Sequence, residues 1–344
     1  MPSEVTLRAR AFVAERLPEA RGLGQSLADL IDEPEEFVAA LREGLASLGD
    51  PAYAAEQERV APGSGVVFGV RNPLMAAIAR QLREPLRQSS SSSALWLAER
   101  LSSEEERELI LFSHVALARA LPADPERSWQ LMRRLARRAQ DWISVDELAE
   151  LFAKGILLEP FRWAELEQLV YSADRWERRL VGSTVARLPF ERPKHQRTAL
   201  VDTSGVTLIK SLLGDAEPNV QKALSWALRS WNEVDRAGVA NLLRDEATAA
   251  RKTGDGHRAW VLRDALTWPD TDPLLVQDVR AELDGVRRRP GEPSTSAASA
   301  VASSFAGLDR MADQAVGMQG ARQRMAADIS SGVAPRNVVG GRSG

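Results

Sequence analysis

The chain of 344 residues contains no cysteine, only three histidines and two tyrosines, and no run of 18 or more apolar residues. Each shortage removes a class of function. Without cysteine there are no disulfides and no thiolate metal sites. His114, His195 and His257 show no ligand spacing, so they read as ordinary surface or interface residues, and no metal or other cofactor is expected. The missing apolar run leaves nothing to cross a membrane. The first residues, MPSEVTLRARAF, are amphipathic and lack the apolar centre of a signal peptide; a cytoplasmic protein is the expectation. Basic charge is also in short supply. The formal net charge is −3, whereas a nucleic-acid partner usually leaves a basic footprint.

The charge that is present is unevenly spread. Residues 1–50 carry ten acidic against five basic side chains, and residues 151–200 carry nine basic against six acidic. An acidic end and a basic middle can occupy different faces, and local field rather than total charge steers a polyanion. Lysine occurs only at positions 154, 194, 210, 222 and 252, so nearly all the positive charge is arginine. The guanidinium fork suits phosphate because it donates two hydrogen bonds to one group. Arg133, Arg134, Arg137 and Arg138 read instead as a solvated helix face.

Nearly every periodic stretch repeats at helical spacing, and no long alternating run signals a strand. Helices are expected over stretches that include about 5–17, 27–47, 103–121, 144–157, 174–188 and 217–231. Ser103 with Glu106, Ser144 with Glu147, and Asp174 with Glu177 have the form of capping boxes, and Pro218 fits a first helical position. The serine run at 89–93 separates two helices and reads as a flexible loop. Many antiparallel helices in pairs of roughly 35–50 residues give an all-α fold, an α-solenoid whose concave face holds an extended partner. Residues 1–55 are expected to form an acidic helical cap and 56–288 the repeat domain. Residues 289–344, rich in Ser, Ala and Gly, are expected to form a mostly disordered tail. Within that tail Leu308, Met311, Ala315 and Met318 sit at helical spacing.

Three short strings break the pattern of buried stripe and polar face: DWISVD (141–146), RWERR (175–179) and KALSWALR (222–229). In the third, at about 100° per residue, the apolar stripe is Val220, Ala223, Leu224, Ala227, Leu228 and Trp231. Trp226 lies roughly 130° from its centre, beside Asn219, Lys222, Arg229 and Ser230. Leaving an indole on a basic face forgoes burial worth on the order of 2 kcal/mol, an arrangement that calls for a ligand. In the helix after Ser144 the stripe is Val145, Leu148, Leu151, Phe152 and Ile156, with Asp146 about 140° off it and Trp142 about 100° off. In the helix from Asp174 the stripe is Leu180, Val181, Thr184, Val185 and Leu188. Arg179 faces the opposite way, alongside Arg175, Gly182 and Ala186, and the two small residues leave its guanidinium over a flat surface. Trp96, Trp129, Trp163, Trp176, Trp231, Trp260 and Trp268 read as core or ridge residues.

Taken in order, FGVRNP (68–73), the acidic SEEERELIL (103–111), W-x-x-x-D at Trp142 and Asp146, W-x-R-R (176–179) and KA-x-x-WALR (222–229) resemble the AlkD-like DNA alkylation-repair glycosylases, built from HEAT-like helical repeats. The resemblance covers about residues 60–285. It implies excision of cationic N3- or N7-alkylated purines from duplex DNA, bound over an open concave face rather than with the base drawn into a deep pocket. It implies that Asp146 supports charge and water at the sugar, that Trp142 and Trp226 flank the lesion nucleotide, and that Arg179 holds the nearby phosphate. Arg178 takes that place if the alignment slips by one. Arg175, Lys222 and Arg229 are expected to contact DNA as well, and a monomer is expected. Ala76 departs from the family pattern, standing where a basic residue usually follows the FGV-x-x-P segment.

The chemistry asks little of the protein. An alkylated purine is already cationic and leaves readily, so the usual second carboxylate of a glycosidase is not needed. One carboxylate stabilises the growing oxocarbenium charge and positions water, and aromatic faces beside it favour a cation. With Ser144 as N-cap, Asp146 falls at the second helical position, where the helix dipole favours its charged form. Two alternatives use the same chain differently: a HEAT-like scaffold without chemistry that binds protein or DNA, and a glycosylase for bulky adducts that confers resistance to a self-made genotoxin.

Overall fold

The computed structural model describes residues 3–193 and 203–303. Among these residues the structure is all-helical apart from connections and one isolated bridge between Val66 and Glu106. In chain order the helices are α1 (Glu4–Ala28), α2 (Pro34–Leu48), α3 (Pro51–Val60), α4 (Asn72–Gln88), α5 (Ser91–Ser102), α6 (Arg107–Ala120), α7 (Pro125–Arg138) and α8 (Trp142–Leu158). They continue as α9 (Arg162–Val170), α10 (Arg175–Arg187), α11 (Thr203–Leu212), α12 (Pro218–Asn232), α13 (Arg236–Thr253), α14 (Gly256–Ala265) and α15 (Pro273–Glu282). Alternate helices lie side by side. α4, α6, α8, α10, α12 and α14 follow one another in one layer, while α5 touches α7, α9 touches α11 and α13 touches α15 in the other. Contacts confined to neighbouring repeats make an α-solenoid, the expected fold class.

The expected core stripes of α8, α10 and α12 are all buried. Trp129 is completely buried, with its ring centroid 4.7 Å from that of Phe152 and its Nε1 donating to Glu165 at 2.7 Å. Trp176 and Trp231 are buried too, but Trp96 and Trp268 are 57% and 38% exposed and belong to no core.

The FGVRNP and SEEERELIL strings form one structural unit. Glu108 is buried, and its carboxylate accepts from the backbone amides of Phe68, Gly69 and Val70 at 2.9–3.3 Å. Gly69 has φ +77°, and a Cβ there would stand 2.4 Å from the carbonyl oxygen of Asp50. Three donors to one carboxylate offset the cost of taking it out of water.

Several boundaries differ from the sequence reading. Pro18 ends no helix: α1 runs through it to Ala28, and the break falls in the turn at 29–32. Packing overrides the lost backbone bond, because α1 buries Ala20, Gly24 and Leu27 and lies close on α4. Ser103 closes α5 instead of opening α6, which starts at Arg107. The serine run is a helix start, not a flexible loop, since the Ser90 hydroxyl accepts from the Ser93 amide at 3.0 Å and caps α5. His257, read as a surface or interface residue, is buried between Gln221 of α12 and the carbonyl of Glu292. The start of the expected tail is docked. Thr295 donates to the Gly214 carbonyl at 2.8 Å, Ser296 and Ala298 are buried, and residues 297–303 are helical. His195 and the spaced set from Leu308 to Met318 lie outside the described residues.

Gly182 is small for a reason the sequence did not give. A Cβ there would stand 2.9 Å from the Cβ of Ala223 and 3.1 Å from its carbonyl carbon, so α10 and α12 meet backbone to backbone. It is a packing residue, not part of a flat surface for a partner. Gly182→Val is expected to wedge these helices apart at a cost of about 1–3 kcal/mol. Thermal unfolding measures it, and an unchanged midpoint would contradict the close contact.

Candidate functional site

α8 begins earlier than its sequence suggested. Asp141, not Ser144, is the cap: its Oδ1 accepts from the Ile143 amide at 2.8 Å and the Ser144 amide at 3.0 Å, and its Oδ2 from the Ser144 hydroxyl at 2.6 Å. Aspartate in this position satisfies two of the amides that a helix start leaves free. Trp142 is therefore the first helical residue and Asp146 the fifth. The dipole acts within the first turn, so Asp141 takes the support expected for Asp146.

Asp146 is held by side chains instead. Arg179 of α10 grips it in a fork, Nε to Oδ1 at 3.0 Å and Nη2 to Oδ2 at 2.7 Å, and the Ser183 hydroxyl donates to Oδ1 at 2.6 Å. The remaining terminal nitrogen, Nη1, donates to the Asn219 carbonyl of α12 at 2.7 Å. Arg179 does not face away from the core as its wheel position implied. It is 5% exposed, because a guanidinium matched by a carboxylate and a carbonyl can be withdrawn from water. Its Cζ lies 5.9 Å from the Trp142 ring centroid, and Trp142 Nε1 donates to the Val60 carbonyl at 3.1 Å. Oδ1 thus carries two hydrogen bonds and Oδ2 one, which leaves the larger acceptor capacity on Oδ2.

Trp226 is half-buried on α12, and the guanidinium of Arg187 lies 5.4 Å from its ring centroid. Arg187 is also near enough to Glu147 to oppose an upward shift there. Partial desolvation holds Glu147 above its ordinary value, and the charges of Glu150 and Asp146 push the same way. Trp142, Asp146 and Arg179 therefore meet directly, whereas Trp226 joins them through Arg187 and Glu147. The sequence reading missed Arg187 and took Glu147 only as the partner of Ser144 in a capping box, a place that Asp141 fills instead. An arginine closing a helix reads first as a partner of the dipole, and nothing in its spacing singled it out.

The other expected DNA contacts divide. Arg178 donates through Nε to Asp215 at 2.7 Å and through Nη1 to the carbonyls of Ser172 and Ala173 at 2.9 and 3.0 Å, so it ties loops together. Arg229 donates to the carboxylate and carbonyl of Asp264 at 2.8 and 3.1 Å. Arg175 is half-exposed, over the Trp176 ring and 3.9 Å from Glu217, and Lys222 is exposed one turn before Trp226.

The model of the DNA alkylation repair enzyme family matches residues 41–268, a span that holds Trp142, Asp146, Arg179 and Trp226. Among solved structures, a predicted DNA alkylation repair enzyme from Enterococcus faecalis is 17% identical, with 65% of this chain and 98% of that chain covered and a TM-score of 0.49. No curated protein matches the chain.

Proposed function

The chain belongs to the DNA alkylation repair enzyme family, and from that premise we propose that it is an N-glycosylase releasing cationic N3- or N7-alkylated purines from duplex DNA. The observation that carries this reading is the Asp146 carboxylate, fixed by Arg179 and Ser183 beside Trp142. As the bond from C1′ to the base breaks, its electron pair neutralises the positive base and positive charge grows on the sugar. Asp146 stabilises that charge and accepts a hydrogen bond from the attacking water through Oδ2. Water adds to C1′ and its proton passes to solvent. Trp142 and Trp226 offer ring faces to the cationic nucleotide. Arg179 acts as the residue that positions Asp146, and phosphate contact falls to the exposed Arg175 and Lys222.

A panel of duplexes carrying 7-methylguanine, 3-methyladenine, a bulky N3 or N7 adduct, or uracil tests the reading. The first two are expected to release free base with chelator present, and uracil, whose departure needs an acid, is expected to stay. Release of the bulky adduct alone would select the specialised glycosylase. Release of uracil at a comparable rate would overturn the cationic-leaving-group account.

Binding gives a separate prediction. Affinity for duplex DNA is expected to fall steeply with salt, and Lys222→Ala is expected to lower the slope of log affinity against log salt by about 0.9, one phosphate contact. The commitment of Arg178, Arg179 and Arg229 to partners within the chain favours a second reading, a scaffold that binds protein. Salt-independent binding, or none at low salt, would support it.

A further inference from the structure

Behind the first turn of α8 lies a cavity of about 390 Å³, walled by the loop at 63–65, the start of α6, the end of α7 and the start of α8. Arg107 lines it. This side chain is 5% exposed, and its Nε and Nη1 are buried without a hydrogen-bond partner. A buried guanidinium with unmet donors is costly and demands an explanation. The second arginine on the wall, Arg138, donates to the carbonyls of Ser102 and Glu104 and so keeps its charge uncompensated.

Of the three carboxylates lining the cavity, two are already engaged. Glu104 is bound by Arg42 and Arg100, Asp141 caps α8, and Glu105 stands exposed at the rim. The loop adds close-approach backbone. Gly63 and Gly65 have φ +95° and +70°, and Cβ atoms there would stand 2.7 Å from the Gln140 carbonyl oxygen and 2.8 Å from that of Glu105.

We propose that this cavity is a binding site for a phosphate monoester dianion. The unmet donors of the buried Arg107 and the uncompensated charge of Arg138 suit the oxygens of a phosphate, which the guanidinium fork matches. The group can come from free phosphate or from a terminal phosphate on DNA. His114, seven residues after Arg107 on α6, also lines the cavity. Burial pushes its imidazole down to about 4, with the Glu150 charge opposing, so an anion bound beside it is expected to raise that value.

The test uses the full chain. Inorganic phosphate is titrated while the His114 ring is followed by NMR and the unfolding midpoint by calorimetry. Phosphate is expected to raise the His114 pKa and the midpoint, and Arg107→Gln is expected to weaken phosphate binding about tenfold or more. Two otherwise identical duplexes, one with a 5′-phosphate and one with a 5′-hydroxyl, separate the sources. A roughly tenfold preference for the phosphorylated end, lost in Arg107→Gln, assigns the site to DNA ends. Phosphate binding with equal affinity for both duplexes assigns it to the free ion. If Arg107→Gln does not fold, the wild-type His114 and calorimetric responses decide alone. No response of either to phosphate, together with equal binding of the two duplexes, would overturn the proposal. Base release plays no part in this test, so its outcome is independent of the glycosylase reading.

Discussion

Asp146→Asn is expected to slow release of 7-methylguanine or 3-methyladenine by about 10²–10³-fold, the usual cost of losing one preorganised electrostatic group. Affinity for the damaged duplex is expected to stay close to that of the wild type, because Asp146 faces the sugar and binds no phosphate in this account. The substitution keeps the shape but replaces one oxygen by an amide nitrogen. One of the donors now aimed at the carboxylate, Arg179 Nε, Arg179 Nη2 or the Ser183 hydroxyl, then meets another donor. Some stability is lost with the charge, so single-turnover rates are compared at a temperature where circular dichroism shows both proteins folded. Equal rates on a methylated duplex would remove the carboxylate from the mechanism.

Arg179→Met is expected to have the larger effect on stability. It strips Asp146 of its fork, leaves the Asn219 carbonyl without its donor, and strands a carboxylate that is only 16% exposed. Breaking a buried pair from one side typically costs about 3–5 kcal/mol, and the residual exposure of Asp146 places this case at the lower end. For a chain of this size that is a fall of roughly 5 °C in unfolding midpoint. The double variant Asp146→Asn, Arg179→Met removes both charges and is expected to recover part of the loss. A double variant no more stable than Arg179→Met would mean that the pair is not coupled as its geometry implies.

The fold class and the core stripes were legible because periodicity is a local property of each helix, and the stripes of α8, α10 and α12 all proved buried. Helix starts were less legible. Ser144 and Asp141 are both good caps, and only the structure shows that Asp141 takes the amides. The wheel placed Arg179 away from its own helix's stripe, but a wheel knows nothing of the neighbouring helix, and α8 supplies the carboxylate that draws Arg179 inward. The same blindness made Gly182 look like open surface when it is the contact with Ala223. The place of Glu147 and Arg187 beside Trp226 was not legible because it exists only once α8, α10 and α12 are packed.

Asp146 is proposed to stabilise positive charge growing on the deoxyribose. A duplex with a cationic pyrrolidine in place of the damaged nucleotide's sugar, compared with one holding a neutral tetrahydrofuran there, measures that directly. Transition-state analogues bind at least about 10²-fold more tightly than ground-state ligands, so wild type is expected to prefer the cationic duplex by about that factor, and Asp146→Asn to lose most of the preference. Equal affinity of the wild type for the two duplexes would contradict the account.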